Sequence, residues 1–161
     1  MKLSYRDATE ADLPFIDALI ASDEIAAARD VLRPENDPEQ LAGLRAITAD
    51  PNQRLLIVEH EGKPVASFQI GFLPGISRRG TWRGQIESVR VRADLRGSGI
   101  GAEMMHWAVE NCRERGCTIV QLTSDAGRKD AHRFYERLGF APSHIGFKLK
   151  LNQAATHPYP A

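Results

Sequence analysis

The alternation of apolar and polar positions divides the chain into segments of two periods. Leu3 and Tyr5 alternate with Ser4 and Arg6, which predicts a short first strand over residues 2–7. Leu13, Ile16, Leu19 and Ile20 then recur at helical spacing behind Thr9 and Asp12, a pair spaced as a capping box. Leu41, Leu44 and Ile47 predict a second helix over 38–49. Between these helices, an alanine-rich patch and the run Arg33-Pro34-Glu35-Asn36-Asp37-Pro38 read as a loop.

Period two returns over 53–60 and 64–73, joined at Glu61-Gly62-Lys63 as a hairpin. Leu55 and Ile57 interleave with Leu56 and Val58, so the first of these strands is expected to be buried on both faces. Arg78 to Gly84 reads as a polar loop with Trp82 its one large apolar residue, expected to pack rather than line a site. Residues 86–92 carry the next strand signal, which places Glu87, Val89 and Val91 on one face. Ile100, Met104, Ala108 and Cys112 follow four apart on a helix closed by Arg113, Arg115 and Gly116. Thr118–Leu122 reads as a buried strand, Asp130 as a possible cap for a short helix stopped by Gly139, and Phe147, Leu149 and Leu151 as a half-exposed final strand. The tail 152–161, with Pro158 and Pro160, is expected to be disordered.

The stretch from Glu87 to Gly101 holds the candidate chemistry. A strand runs into Arg96-Gly97-Ser98-Gly99-Ile100-Gly101-Ala102, where a helix opens. The first N–H groups of a helix have no internal partner and the macrodipole adds positive potential, so such a turn suits a phosphate. A P-loop would need Lys and Ser/Thr after its last glycine, where Ala102 and Glu103 stand. A dinucleotide fingerprint is formally met by Gly97, Gly99 and Ala102, with Asp125 as the acidic residue. Only 36 residues follow Asp125, too few for the second half of such a domain.

The pattern R-x-x-G-x-G/A, filled by Arg96, Gly99 and Gly101, resembles the acetyl-coenzyme A loop of the GCN5-related N-acetyltransferase (GNAT) superfamily. About 35 residues on, Phe134-Tyr135-Glu136-Arg137-Leu138-Gly139-Phe140 resembles that family's C-terminal signature. The resemblance covers residues 81–151 and implies an α/β fold: a mixed central sheet splayed at the cofactor site, with helices on both faces. It implies one N-acetyltransferase domain over residues 1–151. The activity implied is acetyl transfer from acetyl-coenzyme A to a primary amine, by direct attack in a ternary complex.

Residue by residue, the resemblance assigns the pantetheine arm to the main chain of Val89 and Val91. It assigns the pyrophosphate to the N–H groups of Arg96, Gly97, Ser98, Gly99, Ile100, Gly101 and Ala102. Tyr135 becomes the general acid for the leaving thiolate. Glu87 becomes the candidate base, since a free alkylammonium with a pKa near 10 is neutral in only about one molecule in a thousand at pH 7. Placed among valines, Glu87 is expected to be desolvated. Many members carry an asparagine seven residues before the tyrosine, contacting the cofactor. Arg128 stands there instead, and Ser124 is a second polar candidate for the same contact. The segment between the first two helices forms a wall of the acceptor site in the family, and its mixed charges here name no acceptor. Members of this fold often dimerise, though no residue of this chain establishes it.

Composition narrows the alternatives. Lys and Arg total 21 against 21 Asp and Glu, so the chain lacks the broad basic field of a nucleic-acid binder. Arginines do crowd locally, at 78, 79, 83, 90, 92 and 96. No export leader or apolar run long enough for a membrane is present, and a cytoplasmic protein is the expectation. Cys112 and Cys117 have neither disulfide nor metal spacing and are expected to be buried apolar residues, and no metal is implied. A non-catalytic acyl-coenzyme A sensing domain is the alternative, and the presence of both Glu87 and Tyr135 argues against it.

Overall fold

The computed structural model describes residues 2–23, 37–149 and 151, which fall into two compact units dividing after Leu122. In the first unit, five strands pair in sequence order: β1 (Leu3–Asp7), β2 (Gln53–His60), β3 (Lys63–Pro74), β4 (Trp82–Val91) and β5 (Cys117–Leu122). The first four are antiparallel neighbours, and β5 lies parallel to β4. A parallel neighbour needs a crossover, which α3 (Ile100–Glu114) supplies. The helices before it are α1 (Leu13–Ala21) and α2 (Pro38–Ala49).

Side-chain alternation assigns the helices to opposite faces of the sheet. Ile57 packs with Ala8, Ile16 and Leu44, so α1 and α2 cover the face that carries Leu55 and Ile57. Tyr5, Leu56, Val58 and Phe68 point the other way, beneath α3. There the Trp107 ring stacks on Tyr5 at 4.2 Å and meets the edge of Phe68 at 6.1 Å. Leu56, Ile57 and Val58 are all fully buried, as a strand covered on both faces requires.

Local sequence explains the element ends. Thr9 donates to Asp12 from both its N–H (2.8 Å) and its Oγ1 (2.9 Å), closing a single 3-10 turn (Glu10–Asp12) that leads into α1. Asp37 caps α2 by accepting from the Glu39 N–H at 2.9 Å, and Pro38 fills a first-turn position where an N–H has no partner. Glu61 and Gly62, with φ of 51° and 72°, form the two-residue turn between β2 and β3.

Three expectations need correction. β4 begins at Trp82, so the latter part of the expected polar loop is strand: Trp82 pairs with Pro74 and Cys117. The rest of that loop is one turn, Ser77–Gly80, in which Arg78 and Arg79 hold left-handed backbone (φ 55° and 65°). β5 is half-buried rather than buried, because among the described residues only β4 pairs with it. Cys117 is likewise half-buried, whereas Cys112 is fully buried; both thiols are free.

The second unit contains α4 (Lys129–Arg137) and an irregular segment after it. Asp130 lies inside the first turn of α4, with Arg128 at the capping position, and pairs with Arg133. Gly139 (φ 90°) ends the helix. The expected final strand is absent from the described residues: Phe147, Leu149 and Leu151 are 91%, 72% and 85% exposed. Alternation prepares a segment for a sheet but supplies no ladder partner, and without one the backbone stays irregular. The tail 152–161, expected to be disordered, and residues 24–36, which include most of the loop expected before α2, lie outside the described residues.

Candidate active site

β4 changes character at its midpoint. Up to Ile86 it pairs on both sides, with β3 and β5; from Glu87 to Val91 it pairs, among the described residues, with β3 alone. Gln69 opposes Glu87 and Ser67 opposes Arg90, so three steps along β4 match two along β3. The extra residue forms a β-bulge at Ser88, whose φ is 54°.

The bulge resets which side each residue faces. Residues directly opposite share a face, so Glu87 goes with Gln69 and Arg90 with Ser67, toward the α1 side. Val91 goes with Ala66 on the α3 side. The expectation that Glu87, Val89 and Val91 share a face is therefore overturned for Glu87 and Val91: regular alternation fails across a bulge. Glu87 is also exposed rather than desolvated. Apolar residues shift from even numbering at Ile86 to odd at Val89 and Val91, the one trace of the bulge in the sequence.

Main-chain groups alternate in direction as side chains do. The Arg92 N–H donates to Val65 O at 2.9 Å, toward β3, so the groups of Val91 turn to the unpaired side. Val91 O accepts from Arg96 Nε at 3.4 Å, and Arg96 Nη2 donates to Ser22 O at 3.2 Å, at the C-terminus of α1. Arg92 pairs with Asp94 at the start of the connection.

That connection passes a 3-10 turn (Ala93–Leu95) and enters α3 through Gly99 in left-handed conformation (φ 92°). Gly99, at the capping position, has no side chain to bond the helix start. The Glu103 N–H donates to Gly99 O at 3.1 Å, so the ladder begins there and the N–H groups of Ile100, Gly101 and Ala102 precede it. A helix start with a glycine cap thus follows the half of β4 whose outer edge, among the described residues, has no strand partner. Ile100, Met104, Ala108 and Cys112 are all buried, which fixes α3 against the sheet.

In the second unit, Tyr135 sits half-buried between Phe134 and Phe140, with ring centroids at 5.2 and 6.0 Å. Burial pushes its phenol above the ordinary value and the Arg128 charge pulls it back, so the hydroxyl is protonated at neutral pH. Ser124 and Arg128 are half-buried in the same unit, where the Arg128 N–H donates to Asp125 O at 3.0 Å. The proposed site residues thus gather in two groups: Glu87 through Ala102 in the first unit, and Ser124, Arg128 and Tyr135 in the second.

A cavity of about 250 Å³ lies elsewhere, lined by Asp7, Leu44, Thr48, Gln53 and Arg54 among others. It includes no residue of the glycine turn or of β4. Among the described residues, no group of three or more His, Cys, Asp or Glu could hold a metal ion, and no helix is long and apolar enough to cross a membrane. Cys112 is pushed up to about 12 by burial, so its thiol is not a nucleophile at neutral pH.

Comparison with known proteins decides the family. Residues 20–140 match the Acetyltransferase (GNAT) family. The chain belongs to it. The GNAT chain is 30% identical over 147 residues to an aminoalkylphosphonate N-acetyltransferase of Salmonella typhimurium, covering 91% of this chain and 90% of that one. It is 32% identical over 149 residues to an L-methionine sulfoximine/L-methionine sulfone acetyltransferase of Pseudomonas aeruginosa (87% and 81% covered). Its fold matches a transcriptional regulator from Bacillus halodurans C-125 with a TM-score of 0.87 and 36% identity, over 92% of this chain and 99% of that one. The mixed five-stranded sheet with helices on both faces is the GNAT fold.

Two features beside Glu87 leave no mark of their own in the sequence. Arg90 was visible only as one of several arginines, and its place beside Glu87 depends on the bulge. Gln69 and Gln53, joined by a 3.1 Å hydrogen bond on the same face, carried no signal at all.

Proposed function

We propose that this GNAT protein transfers an acetyl group from acetyl-coenzyme A to the primary amine of a small molecule, by direct attack in a ternary complex. The observation that carries the reading is the glycine-capped N-terminus of α3 following the half of β4 whose outer edge has no strand partner among the described residues. One supplies N–H donors for a pyrophosphate; the other offers a strand edge that a pantetheine amide can extend. The acceptors in the names of two relatives, an aminoalkylphosphonate and methionine sulfoximine, are small amines, which supports the acceptor class.

Each residue has a task that its surroundings allow. Val89 and Val91 bond the pantetheine through their main chain. Arg96, Gly97, Ser98, Gly99, Ile100, Gly101 and Ala102 hold the pyrophosphate, with Arg96 adding charge. Ser124 and Arg128 add polar contacts to the cofactor. Glu87 takes a proton from the acceptor ammonium, directly or through water, freeing its lone pair to form the N–C bond. Tyr135 gives its proton to the sulfur as the C–S bond breaks, and the new amide nitrogen sheds its second proton to solvent, from which the phenol is reprotonated. Coenzyme A supplies the activated thioester; the protein supplies position and protons.

A second reading has one observation in its favour: the relative from Bacillus halodurans C-125 is a transcriptional regulator. Under that reading this chain binds acyl-coenzyme A without turnover. Thiol release from acetyl-coenzyme A across a panel of small amines separates the two, with Glu87→Gln alongside. Release with one amine class, weakened in the variant chiefly near neutral pH, is expected for the transferase. Tight coenzyme A binding without release from any amine overturns it in favour of the sensor.

A further inference from the structure

The face of the sheet beneath α1 changes chemistry across its width. On β2 it presents Leu55 and Ile57, part of the core with α1 and α2. On β3 the residues opposite them are Gln69 and Ser67, and on β4 Glu87 and Arg90. An apolar floor thus becomes a polar strip within two strands. Gln69 Nε2 donates to Gln53 Oε1, and Ser67 is only 3% exposed, so the floor beneath the charged pair is ordered.

The bulge at Ser88 creates this pairing. Without the extra residue, positions three apart on a strand face opposite sides; with it, Glu87 and Arg90 stand on one face. Their partners on β3 are two residues apart, so the two backbones are separated by roughly 7 Å along the strand. Glu87 is exposed and Arg90 half-buried, with Arg90 Nη1 donating to Ser88 O at 3.3 Å.

A carboxylate and a guanidinium on one face, at that separation, match a small molecule that carries an ammonium and an anion a few bonds apart. We infer that the acceptor is an amine bearing its own anionic group, a carboxylate or a phosphonate, and that Arg90 is the residue selecting for it. This rests on the acetyl-transfer reading for the role of Glu87. A guanidinium binds either anion through two parallel N–H donors, which a lysine cannot reproduce fully.

The test compares aminoethylphosphonate and β-alanine with propylamine as acceptors, in the wild type, Arg90→Gln and Arg90→Lys. The wild type is expected to favour at least one anionic amine over propylamine by about tenfold or more in kcat/KM. Arg90→Gln should bring that ratio toward one, mainly by raising KM for the anionic amines. Arg90→Lys should keep part of the preference. The better of the two anionic amines identifies the anion. No preference in the wild type, or an equal loss for all three amines in Arg90→Gln, overturns the inference. Calorimetry with ethylphosphonate and propionate on the coenzyme A-loaded protein reads the anion site without turnover. Binding that Arg90→Gln abolishes, with no amine acetylated, sustains the anion site while sinking the transfer reading. Absence of binding, with amines acetylated indiscriminately, does the reverse.

Discussion

Gly84 and Cys112 are in direct apposition: a Cβ built on Gly84 would lie 2.3 Å from Cys112 Sγ and 3.0 Å from its Cβ. Gly84 lies in β4 where it pairs on both sides, and Cys112 is the last buried residue on the inner face of α3. Their approach sets how closely the helix that carries the glycine turn lies on the strand that leads into it. Gly84→Ala is expected to destabilise the protein by about 1–3 kcal/mol through overpacking. Cys112→Ala in the same background should recover part of the loss, because it removes the nearer of the two atoms. Denaturant unfolding of the two single variants and the double variant checks this. Strict additivity would show that the two residues do not meet.

Asp12 anchors the entrance to α1 to the sheet. It accepts from Arg6 Nη1 and Nη2 at 2.8 and 2.7 Å, while Arg6 Nε donates to Glu59 at 2.8 Å. Arg6, together with the Thr9 donors, holds the Asp12 carboxyl down at about 2, against an ordinary value of 3.8. A lowered folded-state pKa stabilises the protein above the unfolded value, and that contribution is lost as pH falls through the folded one. Asp12→Asn should therefore cost roughly 2 kcal/mol at neutral pH, with the difference from wild type shrinking between about pH 4 and pH 2. Urea titrations across that range would refute this if the two profiles ran parallel.

Gly99 holds a left-handed conformation at the start of α3, where an L side chain costs about 1–2 kcal/mol. Gly99→Glu adds bulk and negative charge at the helix start proposed for the pyrophosphate. Coenzyme A affinity is expected to fall by about a hundredfold or more by calorimetry, two large unfavourable effects acting together. Unchanged affinity in a folded variant would remove the glycine turn from the cofactor site.

Tyr135→Phe keeps the ring between Phe134 and Phe140 and deletes only the hydroxyl. Turnover is expected to fall by about a hundredfold, with coenzyme A affinity within about twofold. Since burial raises the phenol, its contribution should persist through neutral pH and disappear only under strongly alkaline conditions. A loss of affinity in place of a loss of turnover would assign the hydroxyl to binding.

Elements whose signals are local were legible in the sequence. The four-residue spacing from Ile100 to Cys112 marks the buried face of α3, and Gly116 (φ 80°) follows its end. The Glu61-Gly62 turn and the two-faced burial of β2 were also readable, as were the glycine turn and the tyrosine segment that point to the family. Trp82 was misread because the strand signal is weak: Arg83, Gly84 and Gln85 look like a loop until β3 and β5 pair on either side. Phe147, Leu149 and Leu151 show the converse, a strand-like pattern whose described residues form no strand.

By itself, then, the sequence determined the periodic elements, their order, and the motif residues of the glycine turn and of the α4 region. Periodicity and turn chemistry act between residues near in the chain, so they leave marks that can be read one segment at a time. Tertiary structure decided which side Glu87 faces, where the pairing of β4 to β5 ends, and that Arg6, Asp12 and Glu59 form one network across two strands and a turn. Each of these depends on register between distant segments. One extra residue at Ser88 is enough to turn Glu87 away from Val91 and bring it beside Arg90.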